Sequence, residues 1–307
     1  MEIGEQVAVG GLPEELEIEC PFKEDGPLDV MEEGESIAND DIATDEQANN
    51  AGALGTNLTF GKQGRKRTVE GPCPPPAEPP LRPRLDTPRT GAKVFVPGAD
   101  GIEDQEFPFV VAAHHCIPGE ASLAPSDLKD LMTKTKEGTV FVGGKQRTIK
   151  NHVGYNVNGA HNGVWLPGNY AIRAANKPLE KLWSKLESKA NWCMNYVAAV
   201  SARAGGQFHD SHEEYSEAVK KLLNKIHEVV TLHECHLCEE KTEVPPPYPV
   251  KLRLYALSEY FRSQLNGSPR KWRQPWFSSD RWRGVVFGGN RKARAQFLRT
   301  FRNAKRR

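Results

Sequence analysis

Regular apolar patterning begins near Ala92 and changes period along the chain. Lys93-Val94-Phe95-Val96 and the run Phe107-Pro108-Phe109-Val110-Val111-Ala112 read as strands. Thr139-Val140-Phe141-Val142 reads as another, closed by the turn Gly143-Gly144. Between them, Pro125 to Met132 predicts a short helix with Ser126 or Asp127 as its N-cap. Leu179, Leu182, Trp183, Leu186, Ala190, Cys193, Met194 and Val197 then recur at helical spacing, which predicts a single helix over 179–200. Gly205-Gly206 breaks the pattern. A second helix is expected from His209 through Tyr215, Val219, Leu222, Leu223 and Ile226, and a third over Leu252 to Leu265. Asn158-Gly159 and Asn162-Gly163 predict tight turns with positive φ in an otherwise polar loop.

Before Ala92 the patterning is absent. Residues 1–50 hold 16 acidic residues against one basic residue, Lys23, and Pro74-Pro75-Pro76-Ala77-Glu78-Pro79-Pro80 follows. Residues 1–90 therefore read as a largely disordered segment, acidic and then proline-rich. Its short basic cluster, Lys62 to Arg67, reads as a solvated linker. A core over 91–232 and a basic, aromatic extension over 233–307 complete the expected division. The overall charge of +1 hides an acidic head on a body carrying 40 basic and 24 acidic residues, which suits a polyanionic partner. The start Met1-Glu2-Ile3-Gly4-Glu5 has no signal-peptide character, and no apolar run approaches a membrane span. The expected location is the cytoplasm of the producing cell, with any export by a route that reads no N-terminal signal. Six irregularly spaced cysteines do not form a disulfide framework.

Candidate chemistry concentrates on histidine. Ala113-His114-His115-Cys116-Ile117-Pro118 closes an apolar strand. Successive strand side chains point to opposite faces, so a turn at Pro118-Gly119 is needed to bring both imidazoles to one site. The competing reading is one buried and one solvent-facing histidine. His209 and His212, spaced i,i+3 at the head of the second helix, could share a divalent ion where the helix terminus also attracts phosphate. They could equally be exposed helix-start residues. A zinc peptidase is excluded, because its histidines stand at i and i+4 with glutamate after the first, whereas Asp210 follows His209 here.

Three motifs in order carry a family resemblance: Ala113-His114-His115; Gly154-Tyr155-x-Val157-x-x-Ala160-x-Asn162-Gly163-Val164-Trp165-Leu166-Pro167; and His209-x-x-His212-x-x-Tyr215-x-x-x-Val219. Together, over roughly residues 105–230, they resemble the AHH branch of the HNH/endonuclease VII nuclease superfamily, best known as toxic ends of bacterial polymorphic toxins and secretion-system effectors. Residues 168–208 separate the last two motifs, a longer spacing than the compact pattern. The resemblance implies an α+β fold: a ββα-metal, HNH/treble-clef-like nuclease core elaborated with additional helices. It implies His114 as a metal ligand, completed by His209 and His212, and His115 as the general base that activates water. It gives Asn162 the task of holding the loop or orienting the base. The cofactor expected is a divalent ion, Mg2+ or Zn2+, with Mn2+ and Ni2+ as further candidates. The expected activity is metal-dependent endonuclease cleavage, of DNA ahead of RNA. The expected partners are nucleic acid, a cognate acidic immunity protein and a secretion carrier or adaptor, with no membrane.

Two features stand outside those motifs. His233, Cys235 and Cys238, with His236 nearby, offer ligands for a structural zinc, although free thiols in a reducing cytosol fit the same residues. The tail interleaves Trp272, Trp276 and Trp282 with Arg281, Arg283, Arg291, Lys292 and Arg294, a pattern suited to neutralising phosphates and stacking unpaired bases. Ala293, Phe297, Leu298 and Phe301 make its last part an amphipathic basic helix. From another class, the rival function is a catalytically silent nucleic-acid-binding or zinc-stabilised interaction module.

Overall fold

A computed structural model describes residues 50–60, 92–132, 140–150, 153, 155–168, 177–232 and 242–306. In chain order, α1 (Ala51–Phe60) precedes the strands β1 (Ala92–Val96), β2 (Gln105–Phe109) and β3 (Val111–His115). A π-helical turn, Gly119–Leu123, leads to α2 (Leu128–Met132), β4 (Val140–Val142) and β5 (Lys145–Ile149). The 3-10 turn Ala160–Asn162 runs directly into β6 (Gly163–Pro167). Then come α3 (Lys177–Leu186), α4 (Ala190–Ala204), α5 (Glu213–Thr231), β7 (Glu243–Val244), α6 (Tyr248–Leu265), α7 (Asp280–Phe287) and α8 (Arg291–Arg306). The fold is mixed α+β, with small sheets among helices.

The described residues fall into two compact units, each assembled from separated stretches. The first takes α1, the segment His115–Gly163, and the helical residues 216–232 and 248–261. Its sheet has the order β4-β5-β7, with β4 antiparallel and β7 parallel to β5. Within the stretch expected to be disordered, α1 is a helix whose Leu54 and Leu58 are buried. Those side chains lie where a Cβ on Gly163 would meet them at 2.8 Å. One helical turn apart, the two leucines share a face, and burying that face is what selects the helix. The rest of the acidic and proline-rich segment, including Lys62 to Arg67, lies outside the described residues, as do His233, Cys235 and Cys238.

The second unit takes the segments 80–114, 164–215 and 262–307. Its β1–β2 hairpin pairs Ala92 with Phe109 and Val96 with Gln105. Phe107 on that hairpin meets Trp192 and Tyr196 of α4 edge-on, each at 5.2 Å between ring centroids. Two helices stand where a single helix over 179–200 is expected. The break at Glu187–Lys189 has a tertiary cause: the Asp100 carboxylate accepts the Asn191 and Trp192 N–H groups and starts α4 afresh. Gly205, at φ 85°, ends α4 in the left-handed conformation. Trp272, Trp276 and Trp282 are buried in this unit, so they pack its interior and offer no stacking face to unpaired bases.

Candidate active site

β3 and β6 form a two-stranded ladder, and the residues around it carry the functional motifs. His114 belongs to the second unit and His115, its bonded neighbour, to the first. Alternation along a strand accounts for the different company the two rings keep.

In the second unit, β6 holds a third segment. Gly168, just beyond its end, forms a parallel bridge with His209, whose N–H donates to the Pro167 carbonyl at 2.7 Å. A Cβ on Gly168 would sit 2.1 Å from the His209 carbonyl oxygen, so only glycine permits this approach. His209 is thereby fixed by backbone pairing, and α5 starts only at Glu213. This corrects the expectation that His209 and His212 stand in the first helical turn. Asp210 and Ser211 read as helix-start residues in sequence, but the bridge to Gly168 takes His209 out of the helix. The carboxylate of Asp280 accepts the Glu213 N–H at 2.7 Å, so one of the free donors of the α5 terminus is already used.

The same loop is strapped to the residues after α6. Asp210 N–H donates to the Ser278 carbonyl and Asp280 N–H to the Ser211 carbonyl. Gln207, fully buried, donates from Nε2 to the carbonyls of Gln264 and Trp276 and accepts the Ser278 N–H on Oε1. Held this way, His209 stacks on His114 with ring centroids 4.3 Å apart, and His212 lies 5.0 Å from His114 and 5.1 Å from His209. The buried Tyr215 ring closes the group, 5.7 Å from His212 and 5.9 Å from His114.

One ring nitrogen from each of His114, His209 and His212 lies within 4.8 Å of the others. With metal–imidazole bonds of about 2.0–2.1 Å, a tetrahedral ion would hold its nitrogens about 3.4 Å apart, so the trio can share one divalent ion once the rings close in by about an ångström. Burial lowers the His212 pKa, against the opposing pull of Asp280 and Asp210, which favours the neutral ring that can donate a lone pair.

In the first unit, His115 is buried and its Nε2 is 2.9 Å from Oδ1 of Asn158. A carbonyl oxygen only accepts, so His115 donates from Nε2, and in the neutral ring Nδ1 keeps the lone pair. Burial pushes the His115 pKa down, partly offset by the Asn158 bond. Asn158 is held in turn: its N–H donates to the Asn156 side chain, and its carbonyl accepts from Asn57 of α1.

Asn162 is the loop's internal brace. Its Nδ2 donates to the carbonyls of Ile117 and Val157, and its Oδ1 accepts from the Ile117 N–H and the Ser258 hydroxyl. With no exposed surface and these four partners, Asn162 holds the loop while Asn158 meets the imidazole. The expected positive-φ turns are absent: Gly159 has φ −69° and Gly163 φ −126°. The asparagine side chains supply the shape expected of the glycines. The sequence assigns Asn158 a place in the loop's shape but not its bond to His115, and it carries no local signal for Asn57, Gln207 or Asp280, whose partners lie far along the chain.

Of the tail residues, Arg281 pairs with Glu187 at 3.6 Å and lies over the Trp282 ring, and Arg283 pairs with Glu214. Arg291, Lys292 and Arg294 are exposed on α8.

Residues 104–243 match the AHH family, described as nucleases of the HNH/ENDO VII superfamily with a conserved AHH. Over these residues the chain is similar to AHH-type nucleases. Nucleic acid is the substrate class that this family implies, and phosphodiester hydrolysis is its reaction. No curated protein and no solved structure compared with the chain matches it. Among the described residues, no helix is long and apolar enough to cross a membrane.

Proposed function

We propose that this AHH-like domain is a metal-dependent endonuclease, with His114, His209 and His212 holding a divalent ion and His115 acting as general base. The observation that carries the reading is the convergence of the His114, His209 and His212 imidazoles, with a buried, neutral-leaning His115 next to His114 in the chain. When bound, the ion would supply Lewis-acid stabilisation of the phosphate and the leaving oxygen. All-imidazole donors suit Zn2+, Ni2+ or Mn2+, and the remaining positions would also admit Mg2+ with water and phosphate oxygens.

His115 does the proton chemistry in this reading. Asn158 fixes the ring's tautomer, so the Nδ1 lone pair takes the proton from the attacking water as the oxygen approaches phosphorus. Asn162, bonded to both Ile117 and Val157, keeps the backbone beyond His115 in register with the loop that carries Asn158. Family resemblance supports a toxin or effector role, delivered to a target cell and active in its cytoplasm. DNA is the proposed substrate ahead of RNA. An acidic immunity protein would complement the basic body in the producing cell, with a secretion carrier or adaptor as a further partner.

Supercoiled plasmid incubated with the protein, with and without chelator, tests the enzymatic part. Nicking that stops on chelation and returns with added divalent metal is expected. Cleavage indifferent to chelator overturns it. Inducible expression of wild type and His115→Ala in a bacterium, scored for survival and genomic DNA integrity, tests the toxin part.

A further inference from the structure

α8 is an amphipathic helix whose two faces have separate fates. Phe297, Thr300 and Phe301 are buried, and both phenylalanines meet the Trp272 ring at 6.2 and 6.1 Å. Gln296 and Thr300 hydrogen-bond Oδ1 of Asn195 on α4, and Asn290 caps the helix start by accepting the Ala293 N–H. That face fixes the helix to the second unit.

The opposite face carries Arg291, Lys292, Arg294, Arg299, Arg302, Lys305 and Arg306, all exposed, and the helix has no acidic residue. At ~100° per residue these seven cations fall within an arc of about 160°. Among the described residues none of them takes part in an ion pair, whereas Arg281 and Arg283 nearby in sequence are both matched by glutamates. Such an arrangement is unfavourable to the isolated protein. Like charges at i,i+3 and i,i+4, as in Arg299, Arg302 and Arg306, repel by roughly 0.2–0.5 kcal/mol per pair. Arg291 and Lys292 also sit at the positive end of the helix macrodipole. A polyanion laid along this face would relieve every one of these costs.

We infer that the exposed face of α8 is a binding surface for the phosphate backbone of duplex nucleic acid, read without regard to base sequence. The helix spans about 24 Å, the length of about seven phosphates on one strand. Its exposed arc has no aromatic side chain, and the tail's tryptophans are buried, so unpaired bases find no stacking platform there. The inference deepens the nuclease reading by naming how the substrate is gripped, and its test measures binding apart from cleavage.

The full-length chain carrying His115→Ala, which prevents turnover in the nuclease reading, is titrated into a fluorescently labelled DNA duplex over a range of salt concentrations. It is compared with the same chain also carrying Arg294→Gln, Arg299→Gln and Arg302→Gln. Removing three phosphate contacts should flatten the salt dependence by about 2.7 log units per decade and weaken binding roughly 10²-fold at 0.1 M salt. A control that removes Lys145, Lys150 and Lys221, each to Gln, should change the slope far less. If the triple variant fails to fold by circular dichroism, the single variants Arg294→Gln, Arg299→Gln and Arg302→Gln replace it, and each should lower the slope by about 0.9. An unchanged slope in a folded Gln variant overturns the inference, as does an equal loss in the control or tighter binding of a single strand. Chelator-sensitive plasmid cleavage with an unchanged slope sinks this inference alone; the expected slope change without any cleavage sinks only the nuclease reading.

Discussion

Compare the surroundings of His115 with those of its neighbour His114. Around His115 the work is done by polar side chains in a chain of directional bonds: Asn57 to Asn158, Asn158 to the imidazole, and Asn162 with Ser258 bracing the loop. Around His114 it is done by backbone placement and ring packing. Gly168 lets His209 lie against β6, and the strap from Gln207 to Ser278 and Asp280 fixes the loop that delivers His212. A base needs one tautomer and one orientation, which a single hydrogen bond can set. Ligands need convergence from distant segments, which only fixed backbones can provide. In the proposed reading, one dipeptide serves two tasks because its residues answer to different scaffolds.

The largest effect should come from separating those tasks. His115→Ala should lower plasmid cleavage by about 10²–10⁴-fold while metal content, measured by elemental analysis, stays at the wild-type level. His209→Ala should lose the metal itself. Equal metal loss in both variants would break the division between base and ligand.

Next comes the strap. Gln207→Ala leaves two buried carbonyls and the Ser278 N–H without their partner, which should cost about 3 kcal/mol in urea unfolding and weaken metal affinity in parallel. A stable variant with unchanged metal affinity would show that the histidine loop holds its own shape.

Gly168→Ala sharpens the comparison further, because the new Cβ collides with the His209 carbonyl. Metal affinity should fall about 10–100-fold, the range seen when groups that orient ligands are disturbed. The fold should survive, as judged by circular dichroism. On the other side, Asn158→Ala should slow cleavage about tenfold, with metal content and KM retained, as the ring loses the bond that sets its tautomer. A metal content that falls with the rate would place Asn158 on the wrong side of the division.

The smallest effect belongs to a residue outside both scaffolds. The side-chain bond from Asn191, aided by the backbone N–H groups of Asn191 and Trp192, holds the Asp100 carboxyl below its usual pKa. A depressed folded-state pKa gives stability that is present above the ordinary carboxylate range and lost as pH falls through the folded value. Asp100→Ala should therefore lower the urea midpoint at neutral pH, and the gap from wild type should narrow in acid. A gap that is independent of pH would mean the carboxylate charge contributes nothing to the cap.

Much of the site was legible before the fold was known. The Ala113-His114-His115 strand, the His209 and His212 spacing and the order of the three motifs point to the AHH family, and the structure brings His114, His209 and His212 together. Local patterning also places the β1–β2 strands, the Gly143-Gly144 turn and the third helix within a few residues. These features depend on residues close in sequence, where period and turn chemistry act directly.

What the tertiary structure decided is everything that depends on a partner far along the chain. Asn158 and Asn162 look alike in sequence, yet only Asn158 meets His115, because Ile117 and Ser258 claim the other. His209 lies in a bridge and outside a helix because Gly168 approaches it, and α3 and α4 are two helices because Asp100 caps the second. Tryptophans that suggest base stacking are core, since burying their large apolar rings outweighs any use at the surface. Sequence alone determined which residues are proposed to carry the chemistry. The scaffold of each lay with hydrogen bonds and close approaches that join residues some 40 to 100 positions apart, and no local pattern records those.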